Sequence, residues 1–312
     1  MATRTKRQSK RRRVQAPKRR VERKTIGRRW PWAAGAAALA LVIAIPAVLA
    51  SRDGSERVAR TPTPGLPDTP DYHSLLVAAG NADALTLGTH NGLYQSTDGG
   101  HSWQSTTLAG QDAMNLGRAA GGVAWAAGHD VLAKSTDGGG TWQDVRPEGL
   151  PGLDVHGFAV DPRDPETLYA AIAGQGLYRS TDGGDSFSVV STEVGPGVMA
   201  LAVTPDGRIL AGDMQQGLFA SADGGRTWKP TFDARLMGLA VNPKEPERVI
   251  ATGPGILLST DGGRSWDQVM PLDAGAGPVA WATSNPKVAY VVGFDKSLYK
   301  TEDGGSTWRP VA

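Results

Sequence analysis

Cysteine is missing from all 312 residues, which excludes disulfides, thiolate metal ligands and thiol nucleophiles and leaves stability to packing and turn chemistry. Also missing are a phosphate-binding P-loop, a dinucleotide glycine fingerprint, a His-Glu-x-x-His pair and a serine-centred elbow, so four common chemistries lack their signature. Long apolar runs are nearly absent. One stretch of twenty uncharged residues, 31–50, is the exception.

What is present divides the chain by charge. The formal net charge is only +2, yet residues 1–30 hold fourteen Lys/Arg against Glu22 alone, and the remainder holds nineteen basic and thirty acidic residues, a net of −11. At about 1.5 Å per residue the 31–50 stretch matches the ~30 Å hydrocarbon layer, which predicts a transmembrane helix. The dense positive charge before it keeps the N-terminus cytoplasmic and sends the rest of the chain across. The reading is a signal anchor, with release the outcome if cleavage occurs after Ala50. Residues 1–30 read as a disordered cytoplasmic tail that meets anionic lipid, and nucleic acid is an unlikely partner for them. Prolines at 62, 64, 67 and 70 make residues 51–70 a stiff, extended linker.

From residue 71 the chain repeats itself. The turn Ser/Thr-x-Asp-Gly-Gly-x-Ser/Thr-Trp/Phe occurs six times, with aspartates Asp98, Asp137, Asp182, Asp223, Asp261 and Asp303 spaced by 39, 45, 41, 38 and 42 residues. Each period of about forty residues has room for four short strands, as in Val155–Val160, Thr167–Ala173, Gly176–Ser180 and Phe187–Val190. The Asp-Gly-Gly triplet tolerates positive φ, its carboxylate and flanking hydroxyls can bond loop backbone, and the aromatic residue after it is a plug between units. The six aspartates therefore read as structural.

The segment Ser96-Thr97-Asp98-Gly99-Gly100-His101-Ser102-Trp103 and its five partners resemble the Asp-box, or BNR, repeats of β-propellers. That superfamily includes sialidases, xyloglucanase-type glycosidases, sortilin-like receptors and photosystem assembly factors similar to Ycf48. The fold expectation is all-β: a six-bladed propeller of four-stranded antiparallel blades over 71–312, preceded by the single transmembrane helix. The resemblance specifies fold far more than function.

Strand direction alternates within a blade, so Asp-box hairpins share one face with the first-to-second strand loops. Second-to-third strand loops and blade crossovers share the other, which is where a site is expected. Its candidate ligand-binding residues are His90, His129, Asp130, Asp154, His156, Asp213, Asp295 and Lys296, with Asp112 beside them. Three histidines from successive blades among aspartates have the residue types of a metal or cationic-ligand site. They equally suit a solvated rim whose imidazoles bond nearby turns, so no metal ligand, cofactor or catalytic residue is assigned. A sialidase resemblance would imply an arginine cluster, but the Arg-Ile-Pro signature is missing and Arg118, Arg208, Arg235 and Arg248 form no evident triad. The function expected is a membrane-anchored, extracytoplasmic binding or assembly module for a protein, peptide or cell-surface glycan. The alternative is a glycoside hydrolase using two rim carboxylates.

Overall fold

Each Asp-box closes on its own hydrogen bonds. The aspartate Oδ1 accepts the hydroxyl two residues before it at 2.7–2.8 Å and the N–H four residues after it at 2.8–3.0 Å. Its Oδ2 takes the hydroxyl of that later residue at 2.5–2.9 Å. Both glycines of every box have positive φ, a backbone conformation in which a side chain would be strained. The turn thus reverses the chain tightly and leads into the outermost strand.

A computed structural model describes residues 62–106 and 108–311. Among them lie six antiparallel sheets, each built from consecutive strands. The innermost strands are Ser74–Val77, Asp112–Arg118, Val155–Asp161, Val198–Val203, Gly238–Val241 and Ala276–Trp281, one for each of blades one to six. Each packs on the next, and the sixth packs on the first, so the ring is closed. Residues from all six of these strands, including Met114, Phe158, Met199 and Pro278, line a narrow central space of about 70 Å³.

The blades are held together by apolar clusters, and each box aromatic joins the cluster between its own blade and the preceding one. Trp103 serves the sixth-to-first seam, Trp142 the first-to-second, Phe187 the second-to-third, and Trp228, Trp266 and Trp308 the remaining three. Five indoles share a geometry except at one point. Trp103, Trp142, Trp228 and Trp308 donate Nε1–H to the second box glycine's carbonyl at 2.9–3.0 Å, whereas the buried Trp266 Nε1 has no partner among the described residues.

Closure uses no exchanged strand, since blade one and blade six are each complete from one end of the repeat region. The seam is instead a side-chain core of Leu75, Val77, Leu85, Leu87, Trp103, Tyr290, Val292 and Leu298. Polar ties cross it: Tyr290 donates its hydroxyl to Asp83 Oδ1 at 3.1 Å, and Thr283 donates to the Ala79 carbonyl at 3.0 Å. Burial pushes the Tyr290 phenol up to about 12, so it stays a donor.

Two boundaries differ from the sequence reading. Thr63–Pro64 pairs with Ser102 and Trp103 as a fifth strand on blade one, Leu66 packs on the seam core, and Tyr72 donates to the Pro67 carbonyl at 2.8 Å. The 51–70 linker therefore yields its last residues to the propeller, because Leu66 and Tyr72 gain an apolar surface there. In blade three the second strand starts at Asp164, not Thr167: Arg163 caps Asp161 and allows a tighter turn. The tail 1–30 and the helix expected at 31–50 lie outside the described residues. Among the described ones, no helix is long and apolar enough to cross a membrane.

Candidate functional site

The two faces separate as strand direction requires. In five blades the N–H of the first box glycine bonds a carbonyl at the first-to-second strand end: loop residues Asp83, Gly122, Glu247 and Lys287 in four blades, and Glu166 near the start of the second strand in blade three. On the opposite face the crossovers bond the second-to-third strand turns, as in Asp130 N–H to Leu153 and Ala173 N–H to Asp154.

On that second face four of the five histidines assemble with three aspartates into a ribbon over blades one to three. Two aspartates stand just ahead of an innermost strand (Asp71, Asp154) and one begins it (Asp112), while His90 and His129 lie at the ends of second strands. The contacts alternate. His90 Nδ1 lies 2.5 Å from Asp71 Oδ1 of its own blade, and its Nε2 lies 3.4 Å from Asp112 Oδ2 of the next. His129 Nδ1 lies 2.6 Å from Asp112 Oδ2, and its Nε2 lies 3.2 Å from Asp154 Oδ1. His73 touches His90 and Asp71 at one end, and His156 touches His129 and Asp154 at the other. Burial holds the His73 imidazole below its usual range, with the nearby Asp71 acting in the opposite sense.

Backbone geometry aims these side chains. The register of innermost strand three shifts between Val155 and Gly157, leaving His156 as the bulged residue that turns toward the face. A β-bridge between His129 and Asp154 pins the second blade's strand end to the crossover. Asp130 adopts positive φ in the turn after His129. Gly128 permits this approach, since a Cβ there would stand 2.1 Å from the Asp112 carbonyl oxygen. Asp112 Oδ1 is buried without a hydrogen-bond partner among the described residues, so one oxygen of this side chain is left unsatisfied beside the cluster.

The structure thus brings together His90, His129, Asp154 and His156 of the sequence candidates, with Asp112. Four candidates lie apart from the ribbon. Asp130 contributes backbone to the turn. Asp213 is buried and accepts the N–H groups of Gln215 and Gln216, at the edge of a recess of about 180 Å³ lined also by Glu193, Gly195 and Trp228. Asp295 accepts from Ser297 N–H and the Tyr299 hydroxyl, and Lys296 pairs with Asp68 at 2.8 Å. Sequence reasoning missed Asp71 and His73. Their signal was available: Asp71-Tyr72-His73 and Asp154-Val155-His156 are the same Asp-x-His pattern at the same point of two blades. Three of the four arginines are committed elsewhere, Arg118 to the Val77 carbonyl, Arg208 to Asp206 and Arg248 to Glu245 and the Gly304 carbonyl.

Comparisons with known proteins agree with this architecture. No curated protein matches the chain. Among solved structures, YCF48 from Cyanidioschyzon merolae superposes with a TM-score of 0.52 at 17% identity, covering 81% of this chain and 88% of that one. A structure of YCF48 bound to D1 peptide gives 0.52 at 20% identity, covering 80% and 83%. The GH74 xyloglucanase from Xanthomonas campestris gives 0.55 at 20% identity, covering 78% of this chain but only 47% of the enzyme. At these identities the likeness is one of fold. The family described as photosynthesis system II assembly factor YCF48 matches residues 76–309, three quarters of the sequence, and the chain belongs to that family.

Proposed function

We propose that this chain is a membrane-anchored, extracytoplasmic binding module that captures an extended segment of a protein partner on the face opposite its Asp-boxes. The observation that carries the reading is the division of carboxylates: all six box aspartates are consumed within their own turns, while Asp71, Asp112 and Asp154 line an accessible ribbon. A negatively charged rim with imidazoles between its carboxylates suits a segment bearing Lys or Arg. The net charge of −11 outside the basic tail adds long-range attraction for such a partner. Peptide binding by the YCF48 structure with D1 peptide supports a peptide rather than a small-molecule role here.

Anchoring follows from residues 31–50, with residues 1–30 inside and the propeller outside. A reporter enzyme fused after Ala312 is expected to be active only beyond the membrane; activity confined to the cytoplasm overturns the orientation.

The alternative is glycoside hydrolysis, favoured by the fold likeness to a xyloglucanase and by the acidic rim. It needs two carboxyl groups roughly 5–9 Å apart flanking an open sugar site. Each of the three ribbon carboxylates, Asp71, Asp112 and Asp154, has an imidazole partner, which favours the binding reading. Screening residues 57–312 against basic and acidic peptides and against glycans and aryl glycosides separates the two. Retention of basic peptides without turnover is expected, lost in Asp112→Asn and Asp154→Asn. Sugar release abolished by one of those changes establishes the hydrolase instead.

A further inference from the structure

Within the ribbon one grouping has a distinct geometry. His129 Nε2, His156 Nε2 and Asp154 Oδ1 form a nearly equilateral triangle with edges of 3.3, 3.2 and 3.2 Å. Ligands about 2.0–2.1 Å from a tetrahedral ion stand about 3.3–3.4 Å from one another, so the triangle has the size of one face of a metal polyhedron. The triad at the other end, Asp71, His73 and His90, is drawn tighter, with 2.5 Å between His90 Nδ1 and Asp71 Oδ1, and there the groups bond each other directly.

Proton placement points the same way. Asp112 Oδ2, 2.6 Å from His129 Nδ1, calls for the ring proton on Nδ1. In that tautomer the Nε2 lone pair faces Asp154 Oδ1 at 3.2 Å and His156 Nε2 at 3.3 Å, an arrangement that a cation between the three atoms would satisfy. A histidine whose second nitrogen donates to a carboxylate is the common setting of a metal-bound imidazole. The backbone preassembles the three ligands through the His129–Asp154 bridge and the His156 bulge. Access is open, with the His129 and Asp154 side chains 44% and 56% exposed.

We propose that His129, Asp154 and His156 bind one divalent transition-metal ion, with Asp112 as the positioning residue that orients His129. Two imidazoles and one carboxylate suit zinc and its neighbours rather than magnesium or calcium, which take oxygen ligands. A fourth position faces solvent and is open to a donor atom from a bound partner. The site stands independently of the peptide-binding reading, because it concerns an ion bound by this chain alone.

Calorimetry of the chelator-stripped full chain with Zn²⁺ alone, and absorption spectra with Co²⁺, test it. Saturable Zn²⁺ binding is expected that His129→Ala and His156→Ala each weaken by at least about 100-fold, and that Asp112→Asn weakens by roughly 10- to 100-fold with an altered Co²⁺ visible spectrum. His101→Ala, in a box on the opposite face, leaves binding unchanged. Circular dichroism in chelator checks that the variants fold. In the unmutated protein, Zn²⁺ is further expected to protect His129 and His156 from carbethoxylation. Absence of Zn²⁺ binding, affinity indifferent to both histidine changes, or unprotected His129 and His156 at saturating Zn²⁺ overturns the proposal.

Discussion

An aspartate in an Asp-box and an aspartate on the opposite rim are the same side chain in opposite roles. Hydroxyl and backbone donors in the box turns hold Asp98, Asp137 and Asp303 well below the ordinary carboxyl range, down to about 2. Asp182, Asp223 and Asp261 are lowered in the same way by their Ser or Thr partners. A folded-state pKa below the unfolded value of 3.8 contributes stability that is present above pH ~4 and is lost as pH falls through ~2. Thermal melts are therefore expected to lose stability steeply between about pH 4 and 2, and Asp137→Asn should flatten that limb. A midpoint insensitive to acid over this window contradicts the assignment. Asp223→Ala, which removes the acceptor for the Ser221 and Thr227 hydroxyls and for the Arg226 and Thr227 N–H groups, is expected to lower the melting temperature by roughly 3–6 °C while sparing ligand capture.

At the scale of strands and turns, the position of the ribbon depends on where backbones can approach. Gly128→Ala would drive a methyl group into the Asp112 carbonyl and push innermost strand two away from its neighbour. The expected result is a folded propeller with weakened Zn²⁺ and peptide binding, read by calorimetry and melting in parallel; unchanged binding would show that Asp112 need not be held there. The repeat, the four-strand blade and the box plug were legible in the sequence because turn glycines and the aromatic residue recur in fixed register. The ribbon was legible only in part. His90, His129 and His156 stand out as rare residues at strand ends, but the bulge at His156 and the bridge from His129 to Asp154 are tertiary features with no local signature. Asp71 and His73 stand ahead of the first innermost strand at the very start of the repeat region, so the Asp-x-His pattern they share with Asp154 and His156 shows only when two distant blades are aligned.

For the whole molecule, the manner of closure was not written in the repeat. Propeller blades of one period can close by sharing strands or by packing complete blades, and six identical turns do not distinguish the two. Here the seam is a packed core reinforced by Asp83 with Tyr290 and Lys300, and by Thr63–Pro64 added at the edge of blade one. A propeller trimmed to begin at residue 71 should thus melt several degrees below one beginning at residue 57, since it loses Leu66, the Pro67–Tyr72 hydrogen bond and the Asp68–Lys296 pair. Equal melting temperatures would mean that the edge strand contributes nothing to closure.

A ring locked on one face and free on the other is the central claim, and amide hydrogen exchange with and without a retained basic peptide tests it most directly. Protection is expected at the turns around Asp112, His129 and Asp154, with the six Asp-box turns unchanged. Protection confined to the boxes, with the histidine ribbon exchanging as before, would contradict it.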